Sequence, residues 1–155
     1  MASVQLFVSC TAPFSLSSQI PLPPLKQPVT YEDALSRWNY VAIHNYFIRQ
    51  HYSSWGPTNN VDTLTIKVLA DTIASINYSS GVLLDSNLWK TYKSINGLFE
   101  RIFSLSTIDT SRFRVTIMYD SIFGYPTYLL FRSLPPAGPT DIVYQYETCD
   151  LMTNN

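Results

Sequence analysis

Charge is what this sequence has least of. Asp, Glu, Lys and Arg together make up 14% of its 155 residues, against roughly 25% in an average soluble domain. The ten Lys and Arg are scattered and the net charge is −1, so the basic stripe that nucleic-acid binding requires is missing. The densest basic cluster is Arg112 with Arg114. No apolar run approaches the roughly 18–20 residues of a membrane-spanning helix. Cysteine is almost absent as well, with Cys10 and Cys149 near opposite ends. Two cysteines so far apart, without a Cys/His set around them, make no metal site. They are either a disulfide tying the N-terminal arm to the last strand in an oxidising compartment, or two unpaired thiols. Catalytic signatures are lacking too: there is no G-x-S-x-G elbow, H-E-x-x-H, P-loop or dinucleotide fingerprint. The acidic residues are too dispersed for a carboxylate pair or a calcium loop, and no cofactor is implied.

What is present is apolar and aromatic. Hydrophobic residues reach 46%, including eleven Tyr, eight Phe and three Trp, a composition that favours strands and sheet faces. The length suits one domain with a sizeable core. Its polar surface must come from Ser, Thr, Asn and Tyr hydroxyls more than from charge, a style commoner in secreted than in cytosolic proteins.

Residues 1–29 read as an extended arm. Val4 to Ser9 before Cys10 resemble the end of a signal or lipoprotein segment, although Met1-Ala2-Ser3 brings no positive charge. Pro13, Pro21, Pro23, Pro24 and Pro28 forbid a helix. Pro21 to Lys26 also matches the PxxPx[KR] ligand pattern of SH3 domains.

The domain proper is expected over 30–151, with a tail at 152–155. Thr30 caps a first helix, with Asp33 at the reciprocal position, and Leu35, Trp38 and Val41 or Ala42 recur at helical spacing. Tyr46–Tyr52 is a β-rich run, and Ser53–Asn60 is a loop. Thr63–Val68 alternates with Leu64, Ile66 and Val68 inward, and a tight turn at Ala70-Asp71 returns the chain through Thr72–Tyr78. The 82–92 segment fits no clear pattern, with Trp89 covering a core edge. Ile95, Leu98, Phe99, Ile102 and Phe103 mark a second helix capped by Ser94. Strands follow at Arg112–Tyr119, Pro126–Ser133 and Asp141–Cys149. The fold class is α+β: an antiparallel sheet of about five or six strands, a typical size, with two helices packed on one face.

Several of these segments, in this order, resemble the uncharacterised domain-of-unknown-function family 6174, found largely in bacterial lipoproteins and secreted proteins. They are Arg37-Trp38, the aromatic strand at Tyr46, Ser94-Ile95-x-x-Leu98-Phe99, and above all Val115-x-x-x-Tyr119-Asp120-x-x-x-Gly124-Tyr125-Pro126-Thr127. The resemblance spans about Ala34 to Leu151. It implies a fold and a compartment rather than a chemistry. Many family members carry a close cysteine pair after the first strand, where this chain has Ser53-Ser54-Trp55, so a role resting on those cysteines does not carry over.

Tyr119 to Pro126 reads as a hairpin corner. Asp120 bonds its own turn, Gly124 supplies a positive φ and Pro126 opens a strand. The alternative is a recognition site with Asp120 as acceptor and Tyr125 as a contact. Trp55, Asp120, Tyr125 and Tyr128 are the candidate binding residues, with Tyr144 and Tyr146 as further amphipathic aromatics. Asn77-Tyr78-Ser79 is a glycosylation sequon. His44 and His51 are the side chains that titrate near neutrality; Asp120 or Glu147 are available to partner one of them, but no spacing argues it. The leading expectation is a non-catalytic secreted or envelope-associated domain that binds a protein or surface ligand. The alternatives are a small-molecule pocket between helices and sheet, enzymatic or not, and an intracellular adaptor using the Pro-rich arm.

Overall fold

A single six-stranded antiparallel sheet, with two helices against one face, organises the computed structural model, which describes residues 22–27, 29–54, 63–135 and 142–153. The helices are α1 (Tyr31–Val41) and α2 (Ile95–Ser104). The strands are β1 (Tyr46–Ser54), β2 (Thr63–Leu69), β3 (Thr72–Asn77), β4 (Phe113–Tyr119), β5 (Pro126–Ser133) and β6 (Ile142–Thr153). Their order across the sheet is β3-β2-β1-β6-β5-β4, so two meanders meet where the first and last strands pair at the centre.

Each element begins and ends for a local reason. The Thr30 hydroxyl accepts a bond from the Asp33 N–H at 3.1 Å, and Ser94 does the same for Gly97 at 3.1 Å, satisfying N–H groups that a helix start leaves open. Ala42 at φ 49 ends α1 in a left-handed cap. Ala70 and Asp71 both take positive φ, the conformation of a two-residue turn whose twist matches its flanking strands. The 82–92 segment contains a short 3-10 turn, Ser86–Thr91, capped by Asp85. Trp89 packs against the core there, its indole donating to the Leu84 carbonyl at 3.1 Å.

The buried side chains fill the space between the helices and one sheet face. Ala34, Trp38 and Val41 of α1 pack with Tyr46, Ile48, Leu64, Ile66, Val68 and Ile76. Leu98, Ile102 and Leu105 pack with Leu129, Tyr144 and Tyr146. On β4, Phe113, Val115, Ile117 and Tyr119 share the inner face and alternate with exposed residues, as the pattern requires.

Three expectations change. Phe103 is 66% exposed; it lies at the margin of the apolar stripe, where its ring meets Tyr31 at 6.5 Å rather than the core. β1 continues to Ser54, and β6 continues four residues past Cys149. Of the expected tail, Met152 and Thr153 therefore pair with Phe47 and Tyr46. A register shift between Phe47 and Arg49 accommodates that extension, with Asp150 at φ 55.

Candidate functional site

The corner between β4 and β5 is built from its own backbone. One Asp120 carboxylate oxygen accepts the Ile122 and Phe123 N–H groups at 2.9 and 2.6 Å, while the Gly124 N–H donates to the Asp120 carbonyl at 3.0 Å. The closed loop docks on α1. Arg37 donates from one nitrogen to the carbonyls of Ile122 (3.0 Å) and Pro23 (2.9 Å), and the Leu25 N–H reaches the Ser121 carbonyl at 2.6 Å. The described part of the arm is thus fastened to the corner and to α1, with Leu22 against the core.

Tyr125, a candidate contact residue, is corrected by this geometry. It is 4% exposed and packs edge-on against Trp38 at 6.5 Å, so its ring belongs to the core. Asp120 likewise serves its own turn. Trp55 and Cys10 lie outside the described residues, and with Cys10 the pairing to the half-buried Cys149 on β6. Asn77 ends β3, facing Thr65 and bridged to Leu83, and its amide oxygen is buried. The sequon is therefore held at a strand end rather than offered on an exposed loop. Pro21 of the SH3-type segment also falls outside the described residues.

A second cluster carries polar groups into the core. Gln50 is fully buried on β1. Its amide donates to the Lys93 carbonyl at 3.1 Å and accepts the Lys93 N–H at 3.0 Å, and it donates to the buried Thr148 hydroxyl at 3.3 Å. The Tyr46 hydroxyl accepts the Ile95 N–H at 3.0 Å. The Tyr146 hydroxyl donates to the Thr91 carbonyl at 2.7 Å, and the Trp38 indole donates to Asn96 at 2.8 Å. The entry to α2 is therefore pinned to the sheet through Thr91, Lys93 and Ile95, and to α1 through Asn96. Sequence reading missed Gln50, although the alternation Tyr46, Ile48, Gln50 was the available signal: an inward amide demands partners.

Burial pushes the Tyr46 phenol up to about 12, with the Ile95 hydrogen bond opposing. Burial raises Tyr119 to about 12 as well, and raises Tyr146 further. A phenol held protonated in the folded state keeps its stabilisation below the unfolded value near 10 and loses it as pH climbs toward 12. For Tyr46 the loss is about 2 kcal/mol across that window. Denaturant unfolding between pH 9 and 12 (roughly the window set by) should show stability falling steeply, and Tyr46→Phe should flatten part of that fall. An unchanged slope in the variant would show that Tyr46 does not carry it.

The other sheet face bears neither described helix. The register lines up Thr63, His51, Glu147, Tyr128 and Met118 as one row across five strands. The strand pairing thus brings Glu147 to His51, which sequence spacing left undetermined, and sets Tyr128 on the other side of Glu147. Tyr128 is half-buried, and its phenol is raised by burial and by Glu147, with Arg132 opposing. Gln145 donates to Glu147 at 2.6 Å. Apolar surface ends and flanks the row: Met118, at its β4 end, is 59% exposed, and Val143 and Met152 are also exposed. Lys67 sits over the Phe47 ring at 5.7 Å, and Arg49 is ion-paired with Asp150. His44 lies elsewhere, in an exposed pair with Asp71 at 2.7 Å that ties the β2–β3 turn to the link between α1 and β1. Among the described residues no group of three His, Cys, Asp or Glu is arranged to hold a metal, and no helix is long and apolar enough to cross a membrane.

The sequence model of a family of unknown function, DUF6174, matches residues 30–147. No curated protein matches, and neither does any solved structure.

Proposed function

The chain belongs to DUF6174, a family of unknown function, and from that premise we propose that it is a non-catalytic, secreted or envelope-associated domain that binds a protein ligand on the sheet face that bears neither described helix. One observation carries this reading. The two faces use their aromatic and polar residues differently. On the helix side, Tyr46, Tyr146, Trp38 and Gln50 spend their polar atoms on internal bonds to the entry of α2. On the open side, Tyr128, Met118 and Met152 stand beside His51, Glu147 and basic residues, without a described helix over them. Accessible apolar area interleaved with polar anchors is the composition of a contact surface. The low charge and hydroxyl-rich surface support an extracytoplasmic setting.

A photo-crosslinking residue placed at Thr116 on the open face, and separately at Asp33 on the exposed side of α1, tests the reading in the native host. The expected result is a discrete adduct from Thr116 alone, recovered from the envelope or secreted fraction. No adduct from Thr116, the same adduct from Asp33, or recovery from the cytosol alone would overturn it.

A further inference from the structure

Within the open face, one pair of side chains is arranged against its own stability. The register of β4 and β5 sets Arg114 directly opposite Arg132. Like charges in facing positions weaken a ladder. The ion pairs among the described residues are His44–Asp71 and Arg49–Asp150, and neither neutralises these two guanidiniums. Arg132 adds a second cost, because its Nε is buried without a hydrogen-bond partner, and a buried unmet donor is unfavourable. The guanidinium is the side chain best shaped to hold carboxylates through paired bonds. The surroundings say what kind of carboxylate. One step along the ladder Thr116 faces Leu130, and the next step sets exposed Met118 beside Tyr128. This apolar strip continues beyond the reach of a lone inorganic anion, so the matching ligand carries acidic and apolar groups together.

Resting on the open-face reading above, we propose that Arg114 and Arg132 form a clamp for the carboxylates of an acidic, partly apolar peptide segment of the protein partner, laid across β4 and β5. The bound carboxylates relieve the repulsion between the arginines, while Met118 and Tyr128 take the apolar side chains. Arg112, next on the chain before β4, extends the basic character toward the β5–β6 end.

The full chain is titrated with a fluorescein-labelled peptide of alternating Glu and Leu, with its Gln–Leu counterpart, and with inorganic phosphate. The expected result is binding of the Glu–Leu peptide that weakens at least about tenfold, roughly 1.4 kcal/mol, in Arg114→Gln/Arg132→Gln. The charge-matched control Lys26→Gln/Lys90→Gln should bind as the parent does. The double arginine variant should also melt no lower than the parent, since it removes a repulsion; this separates lost binding from lost folding. Equal weakening in both doubles would reduce the effect to general electrostatics and overturn the clamp. So would phosphate competing as well as the peptide. If the Thr116 adduct of the preceding section persists in the double arginine variant, the clamp fails while the open-face reading stands.

Discussion

Replacing Gly124 with alanine should lower the melting temperature by about 10 °C, the largest single-residue effect expected in this domain. Two costs combine. Gly124 sits at φ +81, a region costing an L-residue about 1 kcal/mol or more. An added Cβ would also run into the Ala34 carbonyl and lie 3.0 Å from the Arg37 Cβ. Neither neighbour has room to yield. Ala34 is wholly buried in α1, and Arg37 is held by the Ile122 and Pro23 carbonyls. Pushing the corner off the helix adds about 2 kcal/mol in the range of overpacked cores. The sum, about 3–4 kcal/mol, corresponds to that melting shift at roughly 2–4 °C per kcal/mol and is a large share of the stability of a typical domain. Gly81→Ala is the matched control: φ is +84, yet nothing lies within 4 Å of the new Cβ. Thermal unfolding of both variants separates backbone strain from docking. Equal losses would mean that contact between the corner and α1 contributes nothing.

Gln50→Leu should cost about 3 kcal/mol. The substitution nearly preserves volume but strands both the N–H and the carbonyl of Lys93 and removes the partner of the buried Thr148 hydroxyl. Its signature is local as well as global. Amide exchange at Lys93, Ile95 and the first turn of α2 should accelerate more than at β2 or β5, because Gln50 acts as a two-bond extension of the sheet into the segment that starts the helix. Uniform acceleration throughout the domain would instead assign Gln50 an ordinary packing role.

The order of elements was readable because each carries a local mark: the Thr30 and Ser94 caps, the alternation at Leu64, Ile66 and Val68, and the turn at Ala70-Asp71. The hairpin corner was equally legible, since Asp120, Gly124 and Pro126 each suit one backbone position. Phe103 was misjudged because helical spacing fixes the width of an apolar stripe but not which margin the sheet covers. The arrangement of the sheet was not legible, because pairing β1 with β6 joins segments about a hundred residues apart (contacts of the kind discussed in) through no local signal. For the same reason His51 and Glu147, and Arg114 and Arg132, could not be recognised as neighbours from their own surroundings. Gln50 was hidden by its type: a polar residue in a strand reads as outward-facing until alternation is followed through it.

The central seam between β1 and β6 has a consequence for biogenesis. Until β6 emerges, a growing chain holds two separate three- and two-stranded ribbons, each with an unpaired inner edge. An isolated two-stranded ribbon is marginal in water, so closure of the β4–β5 half must wait for β6. Once β6 is made, the sheet closes from the middle outward.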